Sequence, residues 1–445
     1  MRGHRSLAQT VLLVLPFQII FRAGEALWPL LLAFWFGRNH GTDVYYLAWA
    51  AFSFVGSLVF SAHQDSALVP ILAEERLRRP KEVPRLLGSV LAHTCVLGGV
   101  LSAFVAAAAF VFFTLKYEGA DRVLANAMIL PFVLYLVVLS VRTFFATLLA
   151  TEHHFVIQPV ASGLGMMVAI AVLLRGHALV GIGLVPIASL AGELVSLAVL
   201  AWFALRVAKV KLVLNLSRTP ALLAIAQLMV AAVGGGAITR INPVVDQLMA
   251  ALTTIAGAGT MLRYSGDLSS VPTSLLQAAL LPVLLARLSD QFAKGEHLHA
   301  RRTVIRTLIV VCSLLAAASV LLYAVREPLV RFVFLRGAMD EEGAARIAAI
   351  LPYHLIGLAP FGALLVLARA HMAAQNRAVF LRAGIFNAIS NVVFNVLLLR
   401  AIGLEGLALA TSCMQAAVAV FLWVRFIDKL DTPTAGPRGV VATSP

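Results

Sequence analysis

Runs of about 20 apolar residues, long enough as helices to cross a hydrocarbon core of about 30 Å, recur along nearly the whole chain between short polar or basic breaks. The pattern predicts twelve spans, near residues 8–36, 44–73, 86–115, 123–151, 154–174, 178–205, 219–250, 258–287, 304–325, 344–370, 377–400 and 403–425. Run length selects helices, since barrel strands are about 10 residues long and strictly alternating. The seventh run is interrupted by Ile238-Thr239-Arg240-Ile241-Asn242-Pro243-Val244-Val245-Asp246, and the eighth carries Arg263, Tyr264 and Asp267. A charge at bilayer depth costs at least about 2.5–3.5 kcal/mol, so such side chains face a partner or a water-filled cavity. Gly234-Gly235-Gly236 and Pro243 add points where a spanning helix bends or is closely approached.

Composition agrees with this reading. The chain is 61% hydrophobic and 13% charged, with a mean hydropathy of +0.93, which excludes an ordinary soluble domain. A net charge of +14 raises the question of nucleic acid, but the placement of the basic residues answers it. Alternate loops and both ends hold 22 of the 35 Lys and Arg, the opposite loops 9 and the spans 4 (Arg22, Arg142, Arg240 and Arg263). That asymmetry is the positive-inside rule with both termini cytoplasmic. Segment 326–346 is the one outside loop rich in Arg; it also holds Glu327, Asp340, Glu341 and Glu342 and reads as a short interfacial helix.

Cys95, Cys312 and Cys413 fall in separate spans, which suggests neither a disulfide framework nor a thiolate metal site. The basic start followed by an apolar run mimics a signal peptide, but Arg22 and Glu25 interrupt it, and it is read as the first helix. No phosphate-binding Gly-x4-Gly-Lys-Ser/Thr loop, His-Glu-x-x-His or Cys-x-x-Cys occurs, which argues against ATP-driven transport and zinc chemistry. No loop is long enough for a glycosyltransferase domain. Ala67-Leu68-Val69-Pro70-Ile71-Leu72 returns 212 residues later as Ala279-Leu280-Leu281-Pro282-Val283-Leu284. Six spans per half is even, so the halves enter the membrane alike, as in transporters built of parallel repeats with substrate bound between them. The expected lobes are 1–211 and 212–428, followed by a disordered cytoplasmic tail, 429–445.

Phe36-Gly37, Thr42-Asp43, Tyr45-Tyr46 and Leu68-Val69-Pro70-Ile71-Leu72-Ala73-Glu74 resemble the MurJ/MviN family of lipid II flippases, as do Tyr264 to Pro272, Leu281-Pro282, Arg369-Ala370-His371 to Asn376, and Gly406 to Ser412. The resemblance implies an all-α fold of about twelve transmembrane helices in two six-helix lobes, the exporter fold shared with multidrug and polysaccharide transporters. It also implies a non-enzymatic function: moving an undecaprenyl-pyrophosphate-linked glycan across the bacterial inner membrane by alternating access, as a monomer with no nucleic-acid partner. Arg22 matches a family Arg, while Trp28-Pro29, Gly56 and Asp267 stand where the family carries further charged residues. This leaves open which lipid-linked glycan is carried. Members commonly have two more helices after the twelfth.

The expected headgroup contacts are Arg22, Glu25, Arg240, Asn242, Arg263 and Asp267, with planar Arg donors suited to pyrophosphate. Arg22 with Glu25, and Arg263 with Asp267, are also spaced to neutralise one another locally. Arg142 reads as snorkelling, paired across helices or touching substrate; Glu193 and His354 as packing or bridging groups; and His63, Gln64 and Asp65 as a gate or a solvated face. Asn387, Asn391 and Asn395 recur every four residues, so their amides share one face and either form an interhelical ladder or bind an ion. The resemblance implies a Na⁺ site from Asp246, Asn391, Asn395, Thr411 and the Leu407 carbonyl, all oxygen donors, with a proton on Asp246 as the alternative. An ion-coupled small-molecule exporter and a non-transporting subunit of polysaccharide synthesis are the competing functions.

Overall fold

The computed structural model describes residues 7–62, 68–152, 154, 156–213, 215–217, 219–227, 240–374 and 376–431. The described chain is helical. Its first helices are α1 (Leu7–Phe36), α2 (His40–Ala62), α3 (Leu68–Arg78), α4 (Val83–Lys116), α5 (Gly119–Thr151), α6 (Ile157–Val180) and α7 (Leu184–Trp202). After a helical stretch at 220–227 follow α8 (Asn242–Ala251), α9 (Ala258–Ala279), α10 (Leu281–Ala293), α11 (His297–Ala324), α12 (Arg326–Phe334), α13 (Glu341–Leu355), α14 (Leu358–Ala373), α15 (Arg377–Ile402) and α16 (Leu404–Asp431). Gly234 to Thr239, His63 to Asp65 and the expected tail from 432 onward lie outside the described residues, as does the question of the tail's disorder.

The described residues of the expected spans are mostly helical, and several spans are not single rods. The expected helix 258–287 is α9 and α10, because Pro282 sits in the first turn of α10: it has no N–H to continue the preceding ladder and is well placed to start a new one. The expected span 44–73 is likewise α2 and α3. The repeated Leu-x-Pro segment therefore opens a short helix in each half, α3 and α10. The expected span 344–370 is α13 and α14, bent by 44° beside Gly357, where any Cβ would meet Ser412 Oγ at 2.5 Å.

Among the described residues, six helical segments are each long and apolar enough to cross a membrane, and the bent α13–α14 pair makes a seventh. One of the six, Ile157–Val207, is the α6–α7 hairpin, which doubles back at Gly181 with φ +68°, a conformation glycine adopts without steric cost. Gly403, φ +74°, does the same between α15 and α16. Apolar side chains point outward along these helices: Leu179 is 88% exposed and Leu115 83%, as a lipid-facing surface requires. Backbone groups are satisfied within each helix, which is the condition for spanning. The expected interfacial helix in 326–346 is α12, and its Arg331 pairs with Glu341.

Contacts divide the chain into two compact units, residues 1–265 with 326–350, and residues 266–325 with 351–445. This grouping differs from the expected lobes 1–211 and 212–428, which follow from the sequence repeat rather than from contact density. In the first unit α4 pairs with α5 and α6 with α7, while α5 packs on α2 and α7. A cluster of Leu68, Leu72, Leu86, Phe144, Leu148 and Leu200 fills the end where α3 meets α5, and Arg76 clamps it by donating to the Thr151 carbonyl at 3.2 Å and pairing with Glu152. In the second unit α14 packs against α10, α11 and α16, and α15 against α16.

Candidate functional site

The first unit draws segments distant in sequence to one point, the turn between α1 and α2. Asn39 and Thr42 cap α2 reciprocally: the Asn39 amide N–H donates to Thr42 Oγ1 at 2.9 Å and the Thr42 N–H to Asn39 Oδ1 at 3.0 Å. This fixes Asp43 in the first turn, where the helix dipole favours negative charge. Its carboxylate reaches 214 residues along the chain. It accepts N–H groups from Gly257 at 2.7 Å and Thr260 at 2.9 Å, and the Thr260 hydroxyl at 2.8 Å. The first amides of a helix have no partner within it. Asp43 therefore serves α9 as an N-cap residue normally would, but from another helix.

Around this cap, Arg38 donates to both Asp340 oxygens at 2.9 and 3.0 Å and to Glu342 at 2.7 Å. The guanidinium holds the Asp340 carboxyl below the ordinary aspartate range, and the two acids raise Arg38. The Ala338 N–H donates to the Phe34 carbonyl at 2.7 Å, and Gln247 Nε2 to that of Gly259 at 3.0 Å. Tyr264, fully buried, meets Tyr46 edge-on at 5.7 Å and stacks on Phe334 at 5.2 Å. A cavity of about 270 Å³ opens beside the cap, lined among others by His40, Asp43, Lys116, Glu118 and Asp121. In the sequence Thr42-Asp43 shows only as a family match and as a lone Asp opening an apolar helix; its partners are not legible there.

The expected headgroup residues are not uniformly buried. Arg22 pairs with Glu25 at 2.8 Å, and their side chains are 74% and 43% exposed, more than those of the partly buried Arg240 and Arg263. One helical turn brings this pair together, as their spacing allows. Arg240 is partly buried and donates to the Ser57 carbonyl of α2. Asn242 opens α8 and is 9% exposed. Arg263 is partly buried and acts electrostatically on Tyr45, and Asp246 and Asp267 are also partly buried. At Gly56 a Cβ would stand 2.8 Å from Leu139 Cδ2, so the leucine tips of α5 would have to shift to admit a side chain there. Arg142 and Glu193, read separately from the sequence, are one ion pair between α5 and α7.

In the second unit Asn391 and Asn395 are fully buried, and Asn395 Nδ2 donates to Asn391 Oδ1 at 3.3 Å. On α16 the Thr411 hydroxyl donates to the Leu407 carbonyl at 3.2 Å. Buried amide, hydroxyl and carbonyl oxygens fit a hard cation, and the amide–amide bond is also the first rung of a ladder. Among the described residues no group of three or more His, Cys, Asp or Glu is arranged to hold a metal.

Long apolar hairpins with charged groups inside the spans define a polytopic membrane protein. Residues 32–441 match the family described as lipid II flippase MurJ. The chain belongs to that family. It is 26% identical over 438 residues to the lipid II flippase MurJ of Burkholderia cenocepacia, covering 94% of this chain and 84% of that protein. It is 27% identical over 195 residues to the probable lipid II flippase MurJ of Vibrio cholerae, a match spanning 44% of this chain and 37% of that one. The fold superposes on a lipid II flippase MurJ in an inward closed conformation with a TM-score of 0.74, at 17% identity and covering 95% and 90% of the two chains. An inward-facing multidrug resistance MATE family transporter of the MOP superfamily gives 0.74 at 13% identity, covering 94% and 96%.

Proposed function

We propose that the protein flips an undecaprenyl-pyrophosphate-linked glycan of the lipid II type across the bacterial inner membrane, as a monomer with both termini cytoplasmic. The family match across residues 32–441 carries this reading. Intramembrane cations support it: Arg240 and Arg263 are partly buried and suit a phosphate-bearing headgroup better than a cationic drug, which they would repel. The test is flipping of fluorescent lipid II by the purified protein in liposomes. Activity that Arg240→Ala and Arg263→Ala abolish at normal abundance supports the reading; a wild-type protein that moves no lipid II overturns it. A cysteine at Arg79 that reacts with an impermeant thiol reagent from outside the cell overturns the orientation.

Transport is coupled to Na⁺ through Asp246, Asn391, Asn395, Thr411 and the Leu407 carbonyl, or to a proton on Asp246. The buried amides and their oxygen donors support the sodium form. Thermal stability that rises with Na⁺ in wild type but not in Asp246→Asn is the expected result. Indifference to Na⁺ at every pH removes the sodium site, and pH-independent transport by Asp246→Asn removes the proton form.

A further inference from the structure

Within the spanning helices of the first unit, the Arg142–Glu193 pair is 11% and 19% exposed. Two observations separate it from a structural staple. First, α6 and α7 are already held together beside it by small residues: a Cβ on Gly165 would lie 2.5 Å from the Gly192 carbonyl oxygen, and Ser196 Oγ donates to the Ala161 carbonyl at 2.9 Å. An apolar pair of similar volume would be at least as stable as the ions. Second, Arg142 Nε and Glu193 Oε2 touch without hydrogen-bond alignment, and the guanidinium's bond to Ser162 Oγ on α6 is long, at 3.5 Å. Charge holds this pair more than geometry does. Tyr135, about two turns earlier on α5, stands 5.7 Å from Trp49, which stacks on Tyr45 at 6.4 Å. Tyr45 accepts a bond from Trp28 Nε1 at 3.5 Å and feels Arg263, so an aromatic, partly polar string joins the pair to an expected headgroup residue.

We propose that Arg142–Glu193 is an exchangeable ion pair, in which Glu193 takes up one proton as the Arg142 guanidinium exchanges its carboxylate partner for a lipid-linked phosphate. The carboxylate becomes a carboxylic acid, Arg142 stays cationic, and its counter-charge passes from Glu193 to the phosphate, so the local charge is conserved. Either event alone would leave an uncompensated charge in a low-dielectric interior, which ties the two together. The groups that face Glu193 are Arg142 and Tyr135 from α5, with the neutral Ser162 of α6 beyond Arg142. The inference rests on the lipid-linked substrate proposed above.

The experiment measures binding of an undecaprenyl phosphoryl sugar, a phosphodiester whose single negative charge does not titrate near neutral pH, to the detergent-purified full chain as a function of pH. One proton taken up per ligand strengthens wild-type binding about tenfold for each unit of falling pH. Glu193→Gln binds without that dependence, and difference infrared spectra lose a ligand-dependent carboxylic-acid band. The double variant Arg142→Met/Glu193→Leu keeps the wild-type melting temperature but loses at least about tenfold in affinity, the loss of one charge-assisted contact. Binding that is independent of pH in wild type, or that keeps its slope in Glu193→Gln, overturns the proposal. A double variant that binds and flips like wild type makes the pair a packing element. A wild type with the expected slope that moves no lipid II overturns the proposed function and leaves this inference standing.

Discussion

Two buried carboxylates in the first unit are stabilised by opposite means. Asp43 has no cation in contact: its oxygens take two backbone amides and a hydroxyl at the start of α9, where aligned N–H groups concentrate partial positive charge. Glu193 has a full cation and little else. Backbone donors cannot leave, so Asp43 is a fixed joint as long as α9 stays in place. A guanidinium can change partners, so Glu193 can be released. The polypeptide thus holds one buried acid for architecture and one for exchange, and the difference lies in what surrounds the carboxylate rather than in the carboxylate itself.

The comparison predicts a graded set of losses. Arg142→Ala strands the Glu193 charge and costs about 3–5 kcal/mol, read as a fall in melting temperature in detergent that Glu193→Leu in the same chain largely restores. Asp43→Ala leaves the Gly257 and Thr260 amides without their acceptor and costs about 1–3 kcal/mol, with flipping lost, and no second substitution at a cation rescues it. Recovery of Asp43→Ala by removing a basic residue would show that this joint is electrostatic after all.

Asn395→Ala removes the amide–amide bond within α15 and costs about 0.6 kcal/mol if the asparagines serve packing, with transport intact; a collapse of transport at unchanged stability marks them as ion ligands. The smallest effect belongs to the Arg38 cluster, whose acids are 56% and 66% exposed. Arg38→Ala costs no more than about 1 kcal/mol after solvent screening. The sign of its pH dependence follows from the lowered Asp340 carboxyl. Its contribution is complete above the ordinary aspartate value of about 3.9 and is lost only as pH falls through the lower folded value. Melting temperatures of wild type and Arg38→Ala therefore differ by a constant amount near neutral pH and converge in strong acid.

Span number and class were legible because the solvent is nearly uniform: a helix either carries about 20 apolar residues or it does not cross. The described residues of the expected segments accordingly are mostly helical. The breaks were less legible. Neither Pro282 within the expected span 258–287 nor Pro352 and Gly357 within 344–370 reads as a break, and whether α13 and α14 bend or separate depends on Ser412 of α16 filling the space beside Gly357.

Side-chain partners were the least legible. Arg22 sits in an apolar run, and its side chain is 74% exposed and paired with Glu25, an environment that hydropathy alone does not specify. Gly56 reads as a missing charge; in the fold it is a contact, 2.8 Å from Leu139 once a Cβ is added.

By itself the sequence determined that this is a twelve-segment helical membrane protein of the MurJ family, with charged residues at particular depths, because length, hydropathy and motif spacing are properties of the chain. The tertiary structure alone decided which charges meet. Asp43 and Thr260 are 217 residues apart and Arg38 and Asp340 are 302 apart, and the partner of a buried charge is chosen by how helices pack, through directional contacts that no local pattern encodes.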